Sequence, residues 1–133
     1  MEPQIEIVFC EGLQTSPTPN TPPTITNPLS LLRPYAIPGN YSFSVFCSID
    51  QLPIDSQTQI SIEIGETDGN ILLPSTPIPI NAVAIGPGNQ ASIKLGIDLR
   101  NAIISKEGEI YAQIKQNNSL IGEKKIKVSV LQK

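Results

Sequence analysis

The chain has 133 residues, a net charge of −3 and 39% hydrophobic residues, which suits a single domain that can bury a core without a metal or disulfides. It contains no histidine, and this excludes Ser-His-Asp and Cys-His hydrolases as well as histidine-ligated iron, copper and zinc sites. No run of about 18 apolar residues occurs, so the sequence predicts no transmembrane helix.

The N-terminal sequence predicts the cellular location, and the location in turn predicts the state of the two cysteines. The stretch MEPQIEIVFCEG is acidic and has no basic segment before its short apolar run, so it predicts no signal peptide and a cytoplasmic location. In a reducing compartment, Cys10 and Cys47 are expected to be buried, inert thiols, with a disulfide between the first two strands as the alternative. Two thiols without a histidine predict no zinc site, and we expect no cofactor.

The first third of the chain combines a strand with a proline-rich segment. Apolar side chains of one parity in residues 5–10, IEIVFC, predict a strand. Residues 14–40 hold more than half of the 13 prolines, so we expect a Pro/Thr-rich surface loop or extended arm there. Apolar residues near its end predict that NPLSLLRPYAIPGN lies against the core, with one helical turn at Leu29–Leu32.

The central part of the chain predicts two amphipathic strands. In residues 41–49, YSFSVFCSI, apolar side chains of one parity alternate mainly with serine, so one face is buried and Cys47 points inward. Residues 60–64, ISIEI, alternate in the same way. Both segments are rich in the β-branched and aromatic residues that strands favour.

Glu63, Glu66 and Asp68 form the densest group of carboxylates in the chain. The group is either a site for a cation or a catalytic acid, or only the bend between two strands. Glu63 lies on the outward parity of its strand, and Asp68-Gly69 is a strong hairpin-turn signal. A calcium loop needs more alternating oxygen ligands than these residues supply. We therefore interpret the segment as a turn.

The second half continues the pattern of short strands. Prolines within residues 74–86 predict a sheet edge or a crossing between sheets, and residues 90–99 predict another strand. Asn101 either caps a brief helix or opens a simple connection. The closing GEIYAQIKQNNSLIGEKKIKVSVL predicts a hairpin that turns at NNS and directs Lys125 and Lys127 outward.

Seven or eight short strands separated by glycine and proline turns predict an all-β fold. We expect an antiparallel β-sandwich, immunoglobulin-like in the broad sense, formed as one domain by residues 1–133. The absence of tryptophan excludes the Cys…Trp…Cys pattern of immunoglobulin domains proper.

The chain resembles a family of small bacterial β-sandwich proteins whose function is unknown. The resemblance covers most of the chain and is carried by Phe9-Cys10, by IPGNYSFSVFCSI, by the Asp68-Gly69 turn and by GEIYAQIKQNNSLIGEKKIKVSV. It implies the sandwich fold. Because the family has no established activity, the resemblance implies no functional residues.

Catalysis and nucleic-acid binding are both disfavoured. The remaining carboxylate groups, Glu63/Glu66/Asp68 and Glu107/Glu109, have no tryptophan platform for a sugar and no imidazole partner, so we predict that the chain is not an enzyme. A carboxylate-based hydrolase is kept as an alternative.

The chain carries a net negative charge, with a pI of about 4.8, and this charge repels phosphate groups. We therefore expect no nucleic-acid partner.

The favoured prediction is a non-catalytic binding or structural module that engages a protein partner. The candidate partner-binding residues are Pro22 and Pro23, in the extended loop, and Lys125 and Lys127, on the closing hairpin. The lysines would either guard an edge against strand addition or bind an acidic ligand weakly. We expect no membrane partner, and an edge strand would also allow a homo-oligomer.

Charge is divided unevenly along the chain. Residues 1–70 hold eight acidic residues and one basic residue, whereas residues 71–133 hold four acidic and eight basic residues. First and last strands often pair in one sheet of a sandwich, so we expect Glu6 to lie near Lys125 or Lys127 on a shared solvent face.

We predict that Glu63, Glu66 and Asp68 bind no calcium. A calorimetric titration of the protein with calcium should give no binding heat at sub-millimolar concentrations, because these carboxylates belong to a turn and not to a ligand loop. Sub-millimolar affinity that disappears in Asp68→Asn would contradict this prediction.

Overall fold

The computed structural model describes residues 4–14, 24–53, 58–67, 69–78, 84–85 and 90–130. These residues form ten strands: β1 (Gln4–Gln14), β2 (Thr24–Pro28), β3 (Leu31–Leu32), β4 (Gly39–Pro53), β5 (Ile60–Glu66), β6 (Ile71–Pro77), β7 (Ala84–Ile85), β8 (Gln90–Ile104), β9 (Gly108–Gln116) and β10 (Ser119–Val128). No helix long and apolar enough to cross a membrane occurs among them.

The strands form two five-stranded sheets that pack face to face. Sheet A has the order β2-β1-β4-β8-β7, and sheet B has the order β3-β10-β9-β5-β6. Every pairing is antiparallel except that of β3 with β10, which is parallel. The all-β antiparallel sandwich is thus confirmed. The strand number exceeds seven or eight because β3 and β7 have only two residues each and β2 forms within the proline-rich segment.

The core lies between the sheets and follows the predicted alternation. Phe43, Val45, Cys47 and Ile49 of β4 are completely buried, and so are Ile64, Ile110 and Ile114 from sheet B. The rings of Phe9 and Phe43 have centroids 6.2 Å apart. Burying a side chain of this size contributes about 1.5–3 kcal/mol. The abundant isoleucines therefore account for both the strands and the packing between them.

The two cysteines are free and buried, as predicted. Cys10 is registered with Ser44 and Cys47 with Ile7, so the thiols lie on opposite faces of sheet A and cannot form a disulfide. The Cys10 thiol lies 3.6 Å from the Ser44 carbonyl oxygen, to which it donates. Burial raises the pKa of Cys47 to about 12, which keeps it protonated and unreactive.

The predicted helical turn at Leu29–Leu32 is wrong, and the helix alternative at Asn101 does not form. Leu31 and Leu32 form β3 beside Lys127 and Val128 instead of a helical turn, because this pairing buries Leu32 completely. Asn101 continues β8 with a φ of 54° at a register shift, and its N–H donates to Ser42 Oγ at 3.0 Å. Asparagine tolerates this left-handed conformation, so a bulge takes the place of a helix cap.

The predicted turn of the closing hairpin and the predicted proline-containing edge strand are both present. The closing hairpin turns at Asn117 and Asn118, whose φ angles of 50° and 71° match the two positive values that a type I′ turn requires. Proline-containing β6 is an edge strand of sheet B, as predicted. Within the proline-rich segment, Thr24–Pro28 pairs with β1, whereas residues 15–23 lie outside the described residues.

The prediction that the first and last strands pair in one sheet is wrong. β1 belongs to sheet A, where Glu6 is registered with Ser48, and β10 belongs to sheet B. No ion pair joins Glu6 to a lysine within the described part of the chain. The acidic and basic halves of the sequence meet instead along the β5–β9 ladder and along the β4–β8 ladder, where Lys94 pairs with Asp50.

Replacing Cys47 by serine should destabilise the protein by about 1–3 kcal/mol, because the new hydroxyl is buried in an apolar environment. Cys10→Ser is the matched control, since its hydroxyl can donate to the Ser44 carbonyl and should cost less. Urea unfolding of both variants measures the difference. Equal losses of stability would contradict the placement of Cys47 in the apolar core.

A candidate site in the groove between the sheets

On one side of the sandwich, two strands each have an edge that is only partly paired with another strand. β2 covers only the Cys10–Gln14 part of β1, and β3 covers only Lys127 and Val128 of β10. Within the described ranges, no strand pairs with the remaining edges, Gln4–Val8 and Ser119–Ile126. Alternate residues along such edges present N–H and C=O groups that are free to bind something else.

These two edges face each other across a groove of about 570 Å³. Its lining consists of Ile5, Glu6, Ile7, Val8, Ile121, Gly122, Glu123 and Lys124. Gly122 lets the strands approach, since a Cβ atom there would lie 2.8 Å from Ile5 Cγ2. Four of the eight lining residues are branched aliphatic, the lining as a whole exposes more polar than apolar surface, and the charged groups come from both sheets.

Lys124 occupies a position that normally faces the core. It is registered with Ala112, which is completely buried, and its neighbours of the same parity include buried Ile126. Because Lys124 lies at the open side of the sandwich, its side chain is exposed in the groove instead of buried. Charged residues of inward parity are a recognised feature of strand edges that avoid pairing with other strands.

The three charged groups of the groove differ in their partners. The Glu123 carboxylate accepts a 2.6 Å hydrogen bond from Gln113 Nε2. Glu6 and Lys124 have no hydrogen bond or ion pair to another described residue, and they do not pair with each other. Within the described ranges, the groove therefore offers one carboxylate and one ammonium group without a partner, next to branched aliphatic side chains.

The residues predicted from sequence lie elsewhere. Lys125 and Lys127 are exposed and registered with Tyr111 and Glu109, which places them on the outer face of sheet B and away from the groove lining. Pro22 and Pro23 lie outside the described residues. A role for these four residues in binding a partner stays a prediction.

The acidic cluster is divided between two separate hydrogen-bonding roles. Glu66 is buried, and its carboxylate accepts bonds from the N–H and hydroxyl groups of Ser105 and from the N–H of Asn70. Glu63 accepts a 2.6 Å bond from the Tyr111 hydroxyl. Asp68 lies outside the described residues. Glu66 thus holds two connections together, a role that the turn interpretation did not predict.

A second polar cluster lies on the outer face of sheet A. Lys94 Nζ lies 3.0 Å from Asp50 Oδ2 and 2.6 Å from Ser48 Oγ, and Ser92 also donates to Asp50. The hydrogen bond from Ser92, and then that from Lys94, lowers the pKa of Asp50. A Ser-Lys catalytic pair needs an amine that is free to take the serine proton, whereas Lys94 donates to Ser48 and is ion-paired with Asp50. The four side chains link β4 to β8 and do not form a catalytic pair.

Comparisons with known proteins give structural similarity only. No family model and no curated protein matches the chain. Among solved structures, it is similar to a superoxide reductase (neelaredoxin) from Ignicoccus hospitalis, with a TM-score of 0.40 and 17% identity over 97% of this chain and 81% of that one. The T24K form of the same protein gives a TM-score of 0.37 and 15% identity over 98% and 80%.

These comparisons correct the functional prediction. The similar solved structures are those of an enzyme, so the prediction of a non-catalytic binding or structural module, with its hydrolase and acidic-ligand alternatives, is not retained. At this identity the likeness concerns the fold, and no residue role comes with it. The bacterial family resemblance stays a prediction.

The described residues do not fit a metal centre of the kind that redox chemistry often uses. No group of three or more histidine, cysteine, aspartate or glutamate side chains lies together among them. The two thiols are on opposite faces of sheet A, and the chain has no histidine. Soft sulfur and imidazole ligands are therefore not assembled in the part of the chain that the structure describes.

Tyr111 should ionise at an unusually high pH. Burial and the hydrogen bond to Glu63 raise the pKa of Tyr111 from 10.0 to about 12, so its neutral form stabilises the fold below pH 10 and this contribution is lost as the pH rises toward 12. An ultraviolet titration of tyrosine ionisation should show a step near pH 12 that is absent in Tyr111→Phe. Tyr35→Phe is the control, because Tyr35 is 83% exposed. Persistence of the high-pH step in Tyr111→Phe would contradict the assignment.

Glu66→Ala should destabilise the protein by about 1–3 kcal/mol, because the Ser105 and Asn70 donors lose a buried acceptor. Glu109→Ala, an exposed carboxylate in the next strand of the sheet, is the matched control and should change the free energy of unfolding by less than about 0.5 kcal/mol. Chemical denaturation compares the two. Similar small effects would show that Glu66 is only a turn residue.

Proposed function

We propose that the chain binds a small amphipathic organic molecule, as ligand or substrate, in the groove between β1 and β10. The observation that carries this proposal is a space of about 570 Å³ in which branched aliphatic side chains lie beside charged groups that have no partner among the described residues. Its volume lies within the range of about 300–1,000 Å³ that is typical of small-molecule sites, and its large polar share favours an amphipathic molecule over a purely apolar one.

The walls supply the apolar part of the interaction. Ile5, Val8 and Ile121 are half-buried, so each keeps aliphatic surface that a ligand can cover. Covering apolar surface contributes about 25 cal/mol per Å² before the costs of binding are counted. A molecule with an aliphatic body therefore gains more in this groove than a fully polar one.

The strand edges supply the polar part. On the sides that face away from β4 and β9, the backbone N–H and C=O groups of Gln4–Val8 and Ser119–Ile126 pair with no strand among the described residues. A ligand that donates and accepts hydrogen bonds can engage both edges at once. The width of the gap is fixed where Gly122 meets Ile5, which favours a compact molecule.

Two earlier expectations remain proposals beside this one. Homo-oligomerisation through an edge strand is opposed by Glu6 and Lys124, because charged side chains on an edge disfavour strand addition. Analytical ultracentrifugation decides whether the chain is a monomer. A cytoplasmic location is supported by the two free thiols, which suit a reducing compartment.

Ile121→Lys should abolish binding of the neutral fluorophore Nile red, because it places a charge on the apolar wall. Leu120→Lys is the matched control, since Leu120 is the preceding residue, is 53% exposed and does not line the groove. Val8→Lys tests the opposite wall. Circular dichroism and thermal unfolding verify that each variant is folded.

The expected result is binding by the wild type and by Leu120→Lys, with loss in Ile121→Lys and Val8→Lys. Absence of binding by the folded wild type, or equal binding by all four proteins, would refute a small-molecule site in this groove.

A further inference from the structure

Resting on the proposed function, we infer that the ligand is a small zwitterion with a branched aliphatic side chain, in the chemical class of the free aliphatic α-amino acids. The groove lining holds one carboxylate, Glu6, and one ammonium group, Lys124, that have no partner among the described residues, and both lie beside isoleucine and valine side chains. A ligand that carries both charges and an aliphatic group complements all three features.

Charge complementarity separates this class from simpler ligands. An anionic molecule would satisfy Lys124 and would lie near Glu6, whose charge repels it. A cationic molecule would satisfy Glu6 and would lie near Lys124. Only a molecule with both charges avoids placing a like charge beside either group. Both side chains are exposed, so water and salt weaken these contacts without changing their sign.

The geometry of the two strands supports a bridging ligand. Glu6 belongs to sheet A and Lys124 to sheet B, and the two groups are not within ion-pair distance of each other. Lys124 enters the groove from the core-facing parity of β10, and its flexible side chain can reach an anionic group lying there. The ammonium group of the same ligand then faces Glu6 of β1.

Size and shape limit the side chain. The groove of about 570 Å³ is open to solvent, and the described residues that line it include four branched aliphatic side chains and no aromatic one. A branched aliphatic group covers such walls without the flat contact that an aromatic ligand would need. Glu123, the third charged residue of the lining, accepts a hydrogen bond from the neutral Gln113 amide, so it is a second carboxylate toward which the ligand's ammonium group can turn.

The test compares four molecules of matched shape by amide chemical-shift titration of the full chain. L-Leucine carries both charges, isocaproate only the carboxylate, isoamylamine only the amine, and isoamyl alcohol neither. We expect leucine to bind most tightly, with shifts concentrated in Ile5–Val8 and Ile121–Lys124, and each missing charge to weaken binding about fivefold.

Two charge-removing variants assign the contacts. Lys124→Met should remove the advantage of leucine over isoamylamine, and Glu6→Gln should remove its advantage over isocaproate. Lys125→Met is the control for Lys124→Met, because Lys125 is the adjacent lysine and lies on the outer face of sheet B. It should leave all four affinities unchanged.

The outcomes separate this inference from the proposed function. If isoamyl alcohol and Nile red bind at the groove and leucine binds no better than the alcohol, the groove is a small-molecule site and the zwitterion inference is wrong. Tighter binding of isocaproate or isoamylamine than of leucine overturns it in favour of a singly charged ligand. If none of these molecules binds, both proposals fail.

Discussion

The pairing of β4 with β8 is the interaction on which the rest of the structure depends. Both strands have 15 residues and lie at the centre of sheet A, with β1 on the other side of β4. The inward residues of β4 are completely buried between the sheets. A one-residue shift in this register would exchange its apolar and serine faces, so burial fixes the alignment of the whole sheet.

Polar bonds then fix parts of the sandwich that apolar packing does not specify. Glu66 joins the β5–β6 hairpin to the β8–β9 connection through Asn70 and Ser105. On the outer face of sheet A, Ser44 donates to Asp98 and Lys94 pairs with Asp50. These bonds connect elements that are distant in sequence, and their buried side-chain atoms are all satisfied among the described residues.

The groove is a consequence of how the two sheets end. β1 and β10 are long strands whose outer neighbours, β2 and β3, are short and cover only part of each edge. The uncovered parts face each other, and their side chains retain aliphatic surface and charge that packing has not used. A small-molecule site is proposed there because the edges, the walls and the unengaged charges converge on one space.

The sequence by itself determined the all-β class, the inward parity of Cys47 and the closing hairpin with its asparagine turn. These features depend on alternation and turn chemistry within a few neighbouring residues, and such local preferences are present in the sequence itself. It also excluded chemistry that needs histidine.

Only the tertiary structure decided which strands share a sheet. The alternation of β1 and β10 shows which side chains point inward but not which strand lies beside them, so the expected contact between Glu6 and Lys125 or Lys127 was wrong. Lys124 was recognisable as a basic residue of the hairpin, but its entry into a groove depends on β10 lying at the open side of the sandwich. Glu66 likewise accepts hydrogen bonds from Ser105, which is 39 residues away in the sequence. Pairing between distant segments is set by the joint burial of many side chains, and no short stretch of sequence contains that information.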